Sequence, residues 1–247
     1  MGDDMGQSAF ATRQVADDGH RRSSLRNFAH RFGLTWLSAI WGPSVFAFRT
    51  GHFRSALAGR AMDRSGKPLP WYTYPAIRYL SQFDFSDASV LEFGGGQSTF
   101  WWSARAKEVT VFDAYKPWVE KLRASVSPNV EVNHMKRSSD VAAMLEGKKF
   151  DVIVVDSGTE EDPYGGRFDN MVAAMSHVVD GGFIVVDNST DDYCWKGSEV
   201  AAAQGWNRVD FIGFGPGGVT EYGTSVYFKA FPRLLQPRDV PTAILTA

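Results

Sequence analysis

Four acids and a glycine triplet carry most of the chemistry in this chain of 247 residues. Glu92 stands just ahead of Gly94-Gly95-Gly96, Ser98 follows them, and Asp113 lies 21 residues beyond Glu92. Glycine lets a backbone turn tightly and lets a ligand approach without meeting a Cβ. An acid at that distance meets ribose hydroxyls at the tip of the second strand of nucleotide-binding α/β units. Asp156 and the pair Asp187-Asn188 form a second group, each closing an apolar run, FDVIVV and FIVV. Such oxygens either orient and deprotonate a substrate or hold a hard cation such as Mg²⁺.

Those residues need elements to position them. Val90 to Phe93 reads as a buried strand, Gln97 to Arg105 as a helix, and Val109 to Phe112 as a second strand. The third glycine position of a dinucleotide turn is Thr99 here, and Glu92 is a poor neighbour for a pyrophosphate but a good one for a cationic amino group. Downstream, the pattern predicts a helix over Lys116 to Ser125, a weaker strand over Asn129 to Asn133 and a helix over Ser138 to Leu145 capped by Ser138 or Ser139. Phe150 to Val155 is the clearest buried parallel strand. The acidic run TEEDPYGGR (Thr159 to Arg167) reads as a mobile loop over the site. A helix over Phe168 to Val179, stopped by Asp180-Gly181-Gly182, leads to a fifth strand, Phe183 to Val186. Tyr193 to Gln204 reads as helix, and the strands Asn207 to Ile212 and Thr224 to Ala230 are close enough to pair antiparallel.

The pattern E-x-G-x-G-x-S, followed by an acid ending the next strand, resembles the S-adenosylmethionine site of class I methyltransferases. PWYTYPAI upstream, LEFGGGQSTFWW and TSVYFK downstream, taken together, resemble a little-characterised bacterial branch of that superfamily over roughly Pro70 to Phe231. The resemblance implies an α/β fold: a Rossmann-like seven-stranded sheet, five strands parallel plus an antiparallel C-terminal hairpin, flanked by helices. It implies S-adenosylmethionine as cofactor, bound by Glu92, Gly94, Gly95, Gly96, Ser98, Asp113 and Asp156, with adenine near the turn Met135 to Asp140. Asp156, Asp187 and Asn188 become the catalytic candidates. Their spacing also resembles catechol-type metal-dependent O-methyltransferases, in which the same three residues would hold Mg²⁺. The lysine-containing segment of those enzymes is absent, and TEEDPYGGR stands in its place.

Composition bounds the rest. A single cysteine, Cys194, excludes an internal disulfide and a cysteine-rich zinc site. Residues 1–70 carry ten Lys/Arg against five Asp/Glu, and residues 71–247 carry sixteen against 23. An acidic body argues against nucleic acid as substrate. Residues 1–20 read as a flexible tail without signal-peptide character, 21–69 as an amphipathic helical extension, 70–231 as the catalytic domain and 232–247 as a C-terminal tail. Leu25, Phe28, Phe32, Trp36 and Ile40 make an apolar stripe beside four arginines, expected on one helix from Arg21 to Ile40. Two readings stay open: a helix packed on the catalytic domain, or peripheral contact of residues 21–48 with an acidic membrane from a cytoplasmic location. Leu34 to Phe48 is too short to span a bilayer and is expected to break at Gly42-Pro43. Gly51 to Lys67 reads as a polar connector. PWYTYP is expected to introduce a helix over Ala76 to Gln82, its rings either lining the site or packing beneath the sheet.

The expected function is oxygen-directed methyl transfer to a small molecule or glycan. Tyr164, Trp195 and Tyr222 are candidate pocket aromatics. Two alternatives remain: aminopropyl transfer on the same fold, with Glu160-Glu161-Asp162 facing a polyamine, and a non-catalytic, membrane-docked module that binds the cofactor or a partner.

Overall fold

A computed structural model describes residues 31–163, 166–230 and 232. The chain divides into two compact units, one ending at Phe48 and one beginning at Arg49. In the first, the helical turn at Arg31 ends where Gly33 adopts φ 64°, and α1, Thr35–Thr50, follows. The expected helix through Ile40 is therefore interrupted at Gly33, and its residues 21–30 lie outside the described residues. Pro43 does not break α1. It removes one N–H, but Ser44 Oγ donates to the Ile40 carbonyl at 2.9 Å beside it and the helix runs on to Thr50. Trp36 and Trp41 of α1 are 59% and 72% exposed. No described helix is long and apolar enough to cross a membrane.

In the second unit, the expected connector Gly51 to Lys67 contains a helix, α2 (His52–Ala58), folded back by a reciprocal pair of hydrogen bonds between Ser55 Oγ and Met62. Residues 49–69 thus share a unit with the sheet. α3, Tyr74–Leu80, starts from Thr73, with Pro75 in its first turn.

Seven strands then build one sheet: β1 (Ser89–Phe93), β2 (Glu108–Asp113), β3 (Val130–His134), β4 (Phe150–Val155), β5 (Val178–Asp187), β6 (Asn207–Gly213) and β7 (Tyr222–Phe228). Their order is β3-β2-β1-β4-β5-β7-β6. β1 to β5 are parallel, and β7 runs antiparallel between β5 and β6. The intervening helices are α4 (Gln97–Ser103), α5 (Lys116–Arg123), α6 (Ser138–Met144), α7 (Gly166–Met175) and α8 (Asp192–Ala203). α6 is entered from Arg137, whose N–H is accepted by Asp140 Oδ2, so neither serine is its cap. β5 begins at Val178, not Phe183. Phe150 pairs with Val178 before the register shifts, and a Cβ on Gly182 would meet the Asp151 carbonyl oxygen at 2.6 Å. Asp180-Gly181-Gly182 is a close approach within a strand, and no helix ends there.

The period-2 alternation of strands divides the core. Val90, Val152 and Val154 face one cluster with Tyr72, Leu80, Phe85, Trp101 and Trp102. Leu91, Phe93, Ile153 and Val155 face the other. Tyr72 and Tyr74 of PWYTYP are buried in the first cluster, whereas Trp71 stays 40% exposed. Tyr72 is held by a hydrogen bond from Trp102 Nε1 to its hydroxyl, 3.2 Å. Tyr72→Phe would leave that buried N–H without its acceptor, at a cost of about 1–3 kcal/mol. The urea midpoint should fall accordingly with an unchanged slope; an unmoved midpoint would show that the bond holds nothing.

Candidate active site

The β1 carboxyl end turns at Gly94, whose φ of 96° lies in the left-handed region. A Cβ there would also meet Ser157 Cβ at 2.8 Å, and one on Gly95 would meet Leu122 at 2.5 Å. Both glycines are demanded by packing. Gly96 is different: its backbone is extended and a Cβ there would meet nothing within 4 Å. The space over Gly96 is open to a ligand.

Thr99 explains why glycine is absent from the third position. Its hydroxyl accepts the Gly96 N–H at 2.9 Å and donates to Glu92 Oε2 at 2.5 Å. Glu92 is fully buried, and its Oε1 has no hydrogen-bond partner. Burial pushes this carboxyl up to about 8, against the opposing pull of the Ser98 and Thr99 hydroxyls, with Asp156 and Asp113 adding to the rise. Ser98 itself is buried in α4. An orphaned, buried acceptor beside an open glycine fits a ligand bearing an ammonium group.

Asp113 ends β2. Its two carboxylate oxygens accept the N–H groups of Gly95 (3.0 Å) and Tyr115 (2.8 Å), and Trp118 Nε1 donates to the Gly95 carbonyl at 2.7 Å. The acid therefore secures the glycine turn. It also stands at the edge of a cleft of 430 Å³, walled by Asp113 to Pro117 on one side and by Ser157 to Glu160 with Pro163 on the other. The volume suits a nucleoside, and the cleft lies beyond the carboxyl ends of β2 and β4, the parallel strands on either side of β1, where α/β sheets bind ligands. No residue of Met135 to Asp140 lines it. The wall after β4 is folded on itself: Gly158 N–H and Thr159 N–H donate to the Pro163 and Asp162 carbonyls at 3.1 and 2.9 Å. The run read as a loop from Thr159 to Arg167 ends early, because Gly166 and Arg167 already belong to α7.

Asp156, Asp187 and Asn188 meet at the ends of β4 and β5, joined by Arg167. One guanidinium nitrogen donates to the Asp187 carbonyl (2.9 Å) and to Asn188 Oδ1 (3.1 Å), and the other to Asp156 Oδ1 (3.4 Å). Asn188 takes φ 50°, the one positive φ of a non-glycine residue among those described. Asp187 Oδ1 accepts from Thr224 Oγ1 at 2.7 Å. Burial and the Asp156 charge push Asp187 well up. Asp156 keeps 22% of its side chain open and rises only to about 6, by burial and despite the opposing guanidinium. Asp156 is therefore the more open of the two carboxyls.

The metal reading does not fit these residues. Three of the oxygens a cation would take are already hydrogen-bonded to Arg167, and no cluster of His, Cys, Asp and Glu among the described residues is placed to hold one. Tyr222 donates to the Trp71 carbonyl at the same edge. Trp195, 55% exposed, instead takes the Arg208 guanidinium over its ring at 5.3 Å. Tyr164 lies outside the described residues. Arg167, Thr224 and Tyr115 are the residues that sequence reasoning missed. Arg167 had one signal, being the only cation in an acidic loop.

No family model matches the chain, and no curated protein does. Among solved structures, the O-methyltransferase TomG from Streptomyces achromogenes, involved in tomaymycin synthesis and solved with SAM, superposes with a TM-score of 0.50 at 20% identity. That match covers 73% of this chain and 86% of that one. An O-methyltransferase from Bacillus cereus solved with SAH also superposes at 0.50, with 17% identity over 74% of this chain and 98% of that one. At these identities the likeness is one of fold: this chain carries the Rossmann-like, seven-stranded sheet of class I S-adenosylmethionine-dependent methyltransferases, antiparallel hairpin included.

Proposed function

We propose that this chain is an S-adenosylmethionine-dependent methyltransferase acting on a hydroxyl of a small molecule or glycan. The observation that carries the reading is the β1 turn: an open Gly96, an orphaned Glu92 oxygen and Asp113 at the edge of a nucleoside-sized cleft, on a sheet of the matching order. Glu92 receives the amino group, Gly94 to Gly96 and Ser98 border the amino-acid end, and Asp113 turns its carboxylate to the ribose. When bound, the cofactor supplies an electrophilic methyl group on a sulfonium that leaves as a neutral thioether. Asp156 orients the acceptor hydroxyl and takes its proton as the oxygen lone pair forms the new bond. Asp187 and Asn188 hold that carboxylate in place through Arg167.

The aminopropyl alternative loses its acids to other partners, since Glu161 pairs with Arg137 at 2.7 Å and Glu160 lies 3.6 Å from His134. Peripheral membrane docking finds support in α1, where Trp36, Leu37, Ile40 and Trp41 are exposed at helical spacing beside the arginine-rich residues 21–31. Under this reading, docking through α1 accompanies catalysis.

Calorimetric titration of S-adenosylhomocysteine should give micromolar binding, weakened at least tenfold, or about 1.4 kcal/mol, by Asp113→Ala. A well-folded wild type that binds nothing would remove the methyltransferase reading. Glu92 supplies a second test. The unfolded chain ionises this carboxyl near 4.5, whereas the folded chain keeps the proton to about 8. The native state therefore binds more protons across that window, and the stability this group contributes falls as pH rises through it, by up to about 1.4 kcal/mol per pH unit. Glu92→Gln should escape that slope, so its melting temperature should gain on wild type from about pH 5 to about pH 8. Saturating S-adenosylhomocysteine, whose ammonium favours the ionised acid, should narrow the gap; a gap independent of both pH and ligand argues against this role. For docking, co-sedimentation with anionic phosphatidylserine vesicles should drop several-fold in full-length Trp36→Glu/Trp41→Glu, and equal pelleting of the two proteins would dismiss the membrane.

A further inference from the structure

Three oxygens from two adjacent strand ends converge on one point, and the group at that point is a side chain. Arg167 sits in the first turn of α7, only 13% exposed, with its nitrogens 2.9 to 3.4 Å from the Asp187 carbonyl, Asn188 Oδ1 and Asp156 Oδ1. Those are hydrogen-bonding separations; Mg²⁺ needs its oxygens at about 2.0–2.1 Å, in an octahedral shell. A guanidinium is planar, permanently charged and forked, so it satisfies a carboxylate, a carbonyl and an amide oxygen together where a metal would need more donors. The surroundings are built for this arrangement. Asn188 adopts φ 50° at the end of β5, and its amide oxygen meets the guanidinium from there. The Asp187 carboxylate is committed elsewhere: its Oδ1 takes the Thr224 hydroxyl, and that hydroxyl oxygen accepts the Thr73 N–H at 3.0 Å. Only the backbone oxygen of Asp187 is given to the cation.

We propose that Arg167 is the resident cation of the acceptor site, a positioning residue whose guanidinium stands where a divalent metal would otherwise bind. Methyl transfer then runs without a metal. The substrate class narrows with it. A metal site favours acceptors with two adjacent oxygens that chelate, and lowers the pKa of the hydroxyl it binds. Here the acceptor needs one hydroxyl able to reach Asp156, with the proton passing to that carboxylate and the negative charge balanced by the fixed guanidinium. A chelating diol gains no advantage. The statement about methyl transfer rests on the proposed function; the exclusion of metal by Arg167 does not.

The test is Mn²⁺ binding, followed by electron paramagnetic resonance on the full chain, alongside S-adenosylhomocysteine titration. Wild type should leave submillimolar Mn²⁺ free. Arg167→Lys, which keeps the charge, should do the same. Arg167→Ala should gain a Mn²⁺ site that Arg167→Ala/Asn188→Ala loses, while keeping S-adenosylhomocysteine affinity within about threefold, since the β1 turn and Asp113 are untouched. A side chain that merely fills space would not separate lysine from alanine in this way. Mn²⁺ bound by wild type and released by Asn188→Ala overturns the proposal, and does so even if the alanine variant of Arg167 fails to fold. A folded Arg167→Ala that binds no Mn²⁺ overturns it as well. Absence of S-adenosylhomocysteine binding with the Mn²⁺ pattern intact would discard the methyltransferase reading and leave Arg167 as the resident cation.

Discussion

A carboxyl group at the centre of a parallel sheet, removed from water, must be given donors or keep its proton. Glu92 is that group, and the site is arranged around it. Thr99 gives one donor and ties it to the Gly96 N–H, so the helix following the turn is fixed to the strand preceding it by a single hydroxyl. Asp113 holds the same turn from the adjacent strand through Gly95. The second carboxylate oxygen of Glu92 is left without a partner. A fold seldom tolerates such an atom except where something arrives to meet it.

The second constraint lies one strand further along. Thr73 of PWYTYP donates its N–H to Thr224, and Thr224 donates its hydroxyl to Asp187. Segments 151 residues apart in the chain thus meet on one side chain, which in turn orients the acid of β5. The Thr73 hydroxyl donates to the Phe211 carbonyl at 2.9 Å, so the antiparallel hairpin is joined to the same point. The hairpin is therefore more than an edge to the sheet: it supplies a hydroxyl donor to the Asp187 carboxylate.

Much of this was legible in the residues. FDVIVV reads as a fully buried strand, and β4 occupies those six positions with each one buried. The glycine turn, the acids at the strand tips and the hairpin fall where pattern and spacing put them. Most of the errors share a cause: a local rule met a contact from outside its own window. Asp180-Gly181-Gly182 carries the signature of a helix stop, yet the glycine is needed because the Asp151 backbone lies against it. Gly42-Pro43 carries the signature of a break, yet α1 continues past it. Gly51 to Lys67 lacks an apolar stripe, but two bonds from Ser55 to Met62 fold its helix back. Arg167 was visible as a lone cation among acids, but its partners stand 11 to 21 residues away and on two strands. Periodicity carries no information about such a meeting.

The charge at the strand ends sets what the site can hold. Burial raises Glu92, Asp156 and Asp187 most; Asp156 and Asp113 add to the rise of Glu92, Asp113 to that of Asp156, and Asp156 to that of Asp187, so the four acids sense one another across the ends of four parallel strands. Among the described residues Arg167 is a cation that acts on both Asp156 and Asp187, and it bonds to oxygens on the acceptor side. On the β1 side an arriving cation lets the buried Glu92 carboxyl release its proton, whereas a phosphate would meet the acids with like charge. This is the physical reason that Thr99 and Glu92 stand where a pyrophosphate turn would have a third glycine and no acid. In the methyltransferase reading, the cofactor brings an ammonium and a sulfonium to these acids, and transfer of the methyl removes the second of these charges. The same acids that draw the cofactor in hold the neutral thioether less tightly.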